Sequence, residues 1–204
     1  ENGDFFQFPR SNQIEGFARI LYGIFGQKTD GIVVEIGAYD GFQFSNSWGL
    51  LDRHWKGFLV EPVKDFLEDA GRNTSRFPNV SVHNIALSDE SGLKSIYTLG
   101  PYSTFSKEKI EEVKNKHWYQ EKWNESEQTI ELEIASEFLK EYVGQSIDVL
   151  SLDTEGHEYP ILKNILESKI FPKVLVIELS NTSPDKDLLH NLIQNNSSQI
   201  SQPI

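Results

Sequence analysis

The stretch that decides the fold is Ile32-Val33-Val34-Glu35-Ile36-Gly37-Ala38-Tyr39-Asp40-Gly41. Its first five residues, rich in β-branched side chains, predict a buried strand. The two glycines predict a tight turn in which a ligand can approach the backbone closely. A helical pattern from Ser45 to His54 follows. Strand, glycine turn and helix in this order are typical of a nucleotide-binding unit.

The same alternation continues along the chain. It predicts further strands at 57–61, 80–84, 147–153 and 174–179, and helices at 12–25, 63–73, 135–143, 159–168 and 184–194. Strands that alternate with helices favour an α/β fold with a doubly wound, mostly parallel sheet covered on both faces. The length of 204 residues fits one domain, 1–204, with an N-terminal helical segment at 1–28, a core at 30–180 and a polar tail at 195–204.

An insertion at about 93–134 interrupts the alternation. It contains two predicted strands, near 93–98 and 129–134, around a charged helical piece at 107–118. Ligands of open α/β sheets bind beside the carboxyl ends of the strands. A segment inserted there is expected to be either a substrate-selecting lid or a structural flap.

Charge and composition exclude several classes of protein. The formal net charge of −12 disfavours a nucleic-acid partner, because such binding depends on basic residues that neutralise phosphates. A local basic stretch is interleaved with glutamates, which favours a solvated helix face; it comprises Lys107, Lys109, Lys114, Lys116 and Lys122. No apolar run is long enough for a membrane span, and the absence of cysteine excludes a disulfide framework. We expect a cytoplasmic protein.

Acidic residues in the glycine turn narrow the choice of ligand. Glu35 and Asp40 would repel the pyrophosphate of a dinucleotide. S-adenosylmethionine has no phosphate and carries an α-ammonium that suits a carboxylate. Glu61, at the end of the second predicted strand, is expected to accept hydrogen bonds from the ribose hydroxyls. Asn84, Ala86 and Leu87, after the third strand, are expected to flank the adenine.

Four segments, taken together, resemble the successive motifs of FkbM-type methyltransferases. They are Glu-Ile-Gly-Ala-Tyr-Asp-Gly (35–41), Trp-Lys-Gly-Phe-Leu-Val-Glu-Pro (55–62), Asn-Ile-Ala-Leu-Ser-Asp (84–89) and Asp-Val-Leu-Ser-Leu-Asp-Thr-Glu-Gly-His-Glu (148–158). The resemblance implies a class I methyltransferase (Rossmann-like) fold and S-adenosyl-L-methionine as cofactor, with S-adenosyl-L-homocysteine as product. It also implies O-methylation of a hydroxyl on a sugar, glycan or secondary metabolite. Its cofactor-binding positions would be Glu35, Gly37, Tyr39, Asp40, Gly41, Glu61 and Asp153.

The fourth motif supplies the candidate catalytic residues. The resemblance places Asp153 and Glu155 where cofactor and substrate meet. His157 has an unperturbed pKa suited to removing a hydroxyl proton, although a histidine at a helix start is more often a cap. The same segment could also hold a divalent metal, and the sequence leaves such a site open; the candidate ligands are Asp153, Glu155, His157 and Glu158. Glu178, at the end of the fifth strand, could line the pocket opposite Asp153, or act as a cap.

The end of the chain departs from the FkbM pattern. That family normally closes its sheet with an antiparallel hairpin, whereas residues 195–204 show no strand pattern. Either the chain is truncated, or the open edge is covered by a homodimer partner or by the aromatic segment at residues 5–9. Two other functions stay open from sequence: a methyltransferase of another specificity (N-methylation or RNA ribose 2'-O-methylation), and a non-catalytic cofactor-binding module.

Overall fold

The structure, a computed structural model, describes residues 14, 16–117, 119, 121, 123–144, 146–179, 185–200 and 202–203. The helices are α1 (Phe17–Phe25), α2 (Trp48–Leu51), α3 (Lys64–Thr74), α4 (Lys107–Lys114), α5 (Ala135–Phe138), α6 (Glu158–Glu167) and α7 (Lys186–Asn196). A π-helical turn, Leu139–Val143, continues α5. The strands are β1 (Ile32–Ile36), β2 (Lys56–Val60), β3 (Val80–His83), β4 (Ala86–Ser88), β5 (Gly92–Leu99), β6 (Tyr102–Thr104), β7 (Glu125–Ile134), β8 (Val149–Leu152), β9 (Val174–Ile177) and β10 (Gln202–Pro203).

The main sheet is parallel throughout and has the order β10-β9-β8-β1-β2-β3. In register, Ile36 lies opposite Val60 on one side and Leu152 on the other, so three strands end at the same level. Successive strands run outward from β1 in one direction through β2 and β3, and in the other through β8 and β9. This reversal opens a crevice at the carboxyl ends, where doubly wound folds bind ligands. The predicted fold class is confirmed.

Hydrophobic cores cover both faces of this sheet, because side chains alternate along each strand. Val34 and Ile36 pack on the face that carries α5, α6 and α7. Val33 packs on the other face with α1 and α2. The central strands β1 and β8 are therefore buried on both sides, as expected of a parallel sheet.

The insertion forms a second sheet of order β4-β7-β5-β6. Both strands expected from sequence are present, and β4 joins them as a parallel partner of β7. The predicted helix is present as α4. The hydroxyl of Thr104, at the end of β6, donates a hydrogen bond to the main-chain oxygen of Glu155 (2.9 Å). This contact ties the insertion to the carboxyl end of the main sheet.

Two sequence-based boundaries were wrong. The helix expected from Ser45 to His54 is confined to α2, because residues 45–47 bind the carboxylate of Glu35 instead. The tail expected to lack strands begins inside α7 and contains β10, which pairs with β9 in parallel. Within the described part of the chain, no antiparallel hairpin follows β9. The aromatic segment at 5–9 and Lys122 lie outside the described residues, and so do residues 180–184.

Candidate functional site

Two adjoining pockets occupy the crevice above β1, β2 and β8, and share Gly37, Ser103 and Asp153. The polar pocket has a volume of about 650 Å³ out to its open mouth. Its lining includes Glu35, Tyr39, Phe44, Asn46, Glu61, Pro101, Tyr102 and Glu155. The apolar pocket has a volume of about 410 Å³. Its lining includes Val60, Pro62, Ile85, Ala86, Leu87, Ile96, Phe105, His157 and Ile161.

Gly37 lets two strand ends meet at the centre of the site. Its φ is +85°, and a Cβ atom there would lie 1.7 Å from the main-chain oxygen of Asp153. No other residue fits such a contact. The main-chain N–H groups of Gly37 and Ala38 both donate to the oxygen of Val60, at 3.0 and 3.1 Å. The turn is therefore closed against β2 and β8.

Glu35 lines the polar pocket but is already bound to its own chain. Its carboxylate accepts hydrogen bonds from the hydroxyls of Ser45 and Ser47 and from the N–H of Asn46. The residue is 3% exposed, and burial raises the pKa of its carboxyl group despite these hydrogen bonds. Its role in cofactor binding stays a prediction, and its visible role is to anchor the loop after the turn.

Asp40 binds the residues that follow the glycine turn. Its Oδ1 accepts hydrogen bonds from the N–H groups of Phe42 (2.9 Å) and Gln43 (2.6 Å), and its Oδ2 accepts one from the Gln43 amide (2.8 Å). Asp40 does not belong to the lining of either pocket described above. Gly41 follows with φ +67° and packs against Ala70 and Leu59. For these two residues, direct contact with the cofactor stays a prediction.

Glu61 stands at the end of β2, beside the turn. Its Oε2 accepts a hydrogen bond from the N–H of Tyr39 (3.0 Å), and its Oε1 accepts one from Val63 (2.9 Å). Burial raises the pKa of Glu61 to about 8, although both hydrogen bonds favour the ionised form. The ring of Tyr39 meets Phe66 edge-on at 4.7 Å between centroids. Glu61 and Tyr39 both line the polar pocket, as the sequence predicts for a shared site.

The residues after β3 divide into two kinds. Asn84 donates its amide hydrogens to the main-chain oxygens of Glu61 and Pro62 (3.0 and 2.9 Å) and so holds the end of β2. Ala86 and Leu87 are buried and line the apolar pocket. The structure therefore brings Ala86 and Leu87 to the site directly, and Asn84 only as a support.

Three carboxylates converge beyond the end of β8. Oxygens of Asp153, Glu155 and Glu178 lie within 4.8 Å of one another, and Asp153 and Glu155 line the polar pocket. Burial and the neighbouring Asp153 raise the pKa of Glu155 to about 7. Burial, together with the charges of Asp153 and Glu155, also raises the pKa of Glu178. Groups so placed can share protons, or can offer oxygen ligands to a divalent cation. The sequence grouped Asp153 and Glu155 with His157 and Glu158, and it left Glu178 either opposite Asp153 or as a cap.

His157 and Glu158 do not belong to this group of converging oxygens, although the charge of Glu158 also helps to raise the pKa of Glu155 and of Glu178. Nε2 of His157 lies 2.9 Å from the Ser88 hydroxyl, and its ring meets Phe105 edge-on in the apolar pocket. Burial and the nearby Lys94 lower the pKa of His157 to about 4, so the ring is neutral at pH 7. Glu158 accepts hydrogen bonds from Thr154 and from the Gly156 N–H, and holds the turn before α6.

Several site residues from the insertion carried no readable sequence signal. Tyr102 to Phe105 cover the pockets from β6, and Nζ of Lys109 on α4 lies 3.6 Å from Oε2 of Glu155. Burial, with Glu155 nearby, raises the pKa of the Tyr102 phenol to about 12. The insertion was expected beside the carboxyl ends of the strands, but the residues by which it lines the pockets could not be deduced from local pattern, because they depend on long-range strand pairing.

Two lysines of the basic stretch, Lys109 and Lys114, form ion pairs. Lys109 pairs with Glu155, Lys114 pairs with Glu111 and Glu125, and Lys107 lies over the ring of Tyr97. These contacts favour the interpretation as a solvated, ion-paired helix face over a continuous phosphate-binding patch. In the described part of the chain, no helix has the length and apolar character needed to cross a bilayer.

Fold and site together define a Rossmann-like α/β protein with a ligand pocket at the topological switch point of its sheet. The chain matches the model of the methyltransferase FkbM domain over residues 35–198 and belongs to that family. Its fold is similar to the crystal structure of methyltransferase FkbM from Methylobacillus flagellatus KT, with a TM-score of 0.50 and 16% identity. The similarity covers 81% of this chain and 37% of that one. No curated protein sequence gave a significant match.

Proposed function

We propose that the chain is an S-adenosyl-L-methionine-dependent O-methyltransferase that acts on a hydroxyl of a sugar, glycan or secondary metabolite. One observation carries the proposal: a polar and an apolar pocket meet at Gly37 and Asp153, above the carboxyl ends of β1, β2 and β8. The cofactor has a charged amino-acid end and a nucleoside end. A pair of joined pockets with these opposite characters fits such a molecule, and membership of the FkbM family supports the reaction class.

The nucleoside end fits the apolar pocket. Ala86, Leu87 and Val60 offer apolar contacts for the faces of an adenine. Glu61 lies at the end of the strand that borders both pockets, and its carboxylate oxygens have lone pairs beyond the two used by Tyr39 and Val63. We infer that these lone pairs accept hydrogen bonds from the ribose hydroxyls.

The amino-acid end fits the polar pocket, where carboxylates suit an α-ammonium. The N–H groups of Gly37, Ala38 and Tyr39 already donate to Val60 and Glu61. We therefore do not assign the α-carboxylate of the cofactor to these three donors. Asp153 borders both pockets and is the residue we place next to the transferred methyl group.

When bound, the cofactor supplies an electrophilic methyl group on a sulfonium. The protein must align an acceptor hydroxyl and take its proton. We propose Asp153 and Glu155 for these tasks, because both line the polar pocket and a carboxyl with a pKa of about 7 is available as a base near neutrality. His157 is neutral and thus also able to accept a proton, and its catalytic role stays a prediction; its position in the apolar pocket is better suited to orienting the nucleoside.

The proposal is tested by methyl transfer from S-adenosyl-L-methionine labelled with ¹³C in its methyl group, using a panel of hydroxyl and amine acceptors. We expect an O-methyl resonance in the product spectrum, and we expect Asp153→Asn to abolish it. Phe42→Ala, a change outside both pockets, is the control and should retain activity. N-methyl product, or full activity in Asp153→Asn, would contradict the proposal.

A further inference from the structure

The loop from Asp40 to Ser47 is anchored at both ends by buried carboxylates. At its start, Asp40 accepts three hydrogen bonds from Phe42 and Gln43. At its end, Glu35 accepts three hydrogen bonds from residues 45–47. Such hydrogen bonds to ionisable groups are among the stronger ones in proteins. They leave Phe44 at the apex of a loop with little freedom to move.

Phe44, at this apex, has a backbone conformation and an exposure that are both unfavourable for a phenylalanine. Its φ is +60°, in the left-handed region that bulky side chains rarely adopt. Its side chain is 57% exposed, so the aromatic ring gains little from burial. Strained conformations of this kind persist where the surrounding structure enforces them, and they cluster at ligand sites. Folding alone gives no reason for a phenylalanine here.

The ring of Phe44 belongs to the mouth of the polar pocket. Tyr39, also with positive φ, lies beside it with 6.4 Å between ring centroids. Pro101 and Tyr102 border the same pocket from the insertion. Asp153 and Glu155 line it as well and bring negative charge. The pocket therefore combines an aromatic rim with carboxylates that can accept hydrogen bonds from hydroxyl groups.

We propose that Phe44 is a specificity-determining residue that stacks on the apolar face of the acceptor ring, and that the acceptor is a neutral pyranoside. The proposal rests on the proposed function and deepens it. A pyranose has C–H faces that pack on an aromatic ring and hydroxyls that donate to carboxylates. An anionic ring, such as a uronic acid, would be repelled by Asp153 and Glu155, and Lys109, 3.6 Å from Glu155, offsets part of this repulsion. The aromatic rim and the acidic lining together select for a neutral ring.

Binding of simple glycosides to the protein loaded with S-adenosyl-L-homocysteine tests this directly. Saturation-transfer NMR would use the methyl glycosides of L-fucose, L-rhamnose and D-galactose, with methyl β-D-glucuronide as the anionic comparison. We expect at least one neutral glycoside to bind, and the glucuronide to bind more weakly. Phe44→Ala should raise the Kd of the bound glycoside about fivefold or more. Phe44→Trp should retain glycoside binding. The Kd of S-adenosyl-L-homocysteine is measured for each variant, so that glycoside affinities are compared with the cofactor product bound to saturation.

Phe42 offers a matched control on the same loop. Its ring packs edge-on against Trp48 at 4.7 Å, outside both pockets. Phe42→Ala should lower Tm and leave glycoside binding unchanged. Phe44→Asn should lose glycoside binding without lowering Tm, because asparagine tolerates a positive φ. If Phe44 had only a structural role, Phe44→Asn would lower Tm and leave glycoside binding unchanged.

The outcomes separate this inference from the function on which it rests. If the unmodified protein fails to bind S-adenosyl-L-homocysteine, the proposed function is contradicted. If it binds S-adenosyl-L-homocysteine but no neutral pyranoside, the inference about Phe44 is overturned while the proposed function stands. Equal binding of the glucuronide, or unchanged glycoside affinity in Phe44→Ala, also overturns the inference.

Discussion

Glu61 accepts a hydrogen bond from the main-chain N–H of Tyr39, with 3.0 Å between oxygen and nitrogen. The contact links the end of β2 to the glycine turn after β1. Because Gly37 and Ala38 also donate to Val60 at the end of β2, the shape of the turn depends on the neighbouring strand. The carboxylate that we propose for the ribose hydroxyls therefore also shapes the turn beside the cofactor.

Replacing Gly37 by alanine should prevent the strand ends from meeting. The new Cβ would lie 1.7 Å from the main-chain oxygen of Asp153, where no flexible side chain can yield. We expect a loss of at least about 4 kcal/mol in the free energy of unfolding, or no folded protein. Urea denaturation measures it. Gly16→Ala is the control, since φ there is +75° and no described atom lies within 4 Å; equal losses in both variants would contradict this steric account.

Replacing Asp40 by alanine should loosen the loop that carries Phe44. Three donors lose their acceptor, which should lower the free energy of unfolding by roughly 1–3 kcal/mol. Faster hydrogen exchange at residues 42 and 43 should accompany the loss. Asp69→Ala, a change at an exposed residue of α3, should alter neither quantity much. Unchanged exchange in Asp40→Ala would mean that the loop is held by other contacts.

The strands of the main sheet could be predicted from sequence, because each is marked by a short run of neighbouring apolar residues. Apolar runs such as Ile32–Ile36 are buried on both faces, and the pattern of neighbouring residues suffices to identify them. The roles of Glu35 and Asp40 could not be predicted this way. Their acidic character suggested a ligand, yet their visible partners are the N–H and hydroxyl groups of residues 42–47. Only the folded loop shows which donors are close enough.

The convergence of Asp153, Glu155 and Glu178 was only partly predictable. Sequence order groups Asp153 with Glu155, whereas Glu178 arrives from the next strand through the parallel pairing of β8 and β9. His157 lies two residues from Glu155, yet it faces Ser88 because the chain turns sharply at Glu155 and Gly156, both with positive φ. Lys109 reaches Glu155 from α4, which no local pattern indicates.

Removing the charge of Lys109 should make Glu155 a weaker acid. Lys109 lowers the pKa of Glu155 against the opposing effects of burial and Asp153. In Lys109→Met we expect the Glu155 titration to move upward by about one pH unit or more, observed by NMR of ¹³C-labelled glutamate side chains. Lys114→Met, which breaks pairs with Glu111 and Glu125 instead, should leave Glu155 unchanged. A Glu155 titration unaffected by Lys109→Met would contradict the geometry of this pair.

Buried carboxyl groups should make the protein less stable as pH rises from about 4.5 to about 8. Glu61 and Glu155 have folded pKa values of about 8 and about 7, above the ordinary value of 4.5. The folded state therefore holds protons that the unfolded chain releases, and the stability from these groups is lost as pH rises from 4.5 to about 8.

Urea midpoints measured between pH 5 and pH 8 test this dependence. The midpoint should fall with pH in the unmodified protein, and Glu155→Gln should flatten the part of the curve below about pH 7. Glu167→Gln, at an exposed position at the end of α6, should leave the slope unchanged. A midpoint that rises between pH 5 and pH 8 would contradict the assignment of raised pKa values.

We propose that the pockets around Gly37 bind S-adenosyl-L-methionine, with the side chain of Glu61 at the ribose. Calorimetric titration with S-adenosyl-L-homocysteine tests it most directly, using the unmodified protein, Glu61→Ala and the exposed control Glu68→Ala. We predict binding that Glu61→Ala weakens by about tenfold or more and that Glu68→Ala preserves. The absence of binding in the folded unmodified protein, or equal affinity in Glu61→Ala, would contradict the account.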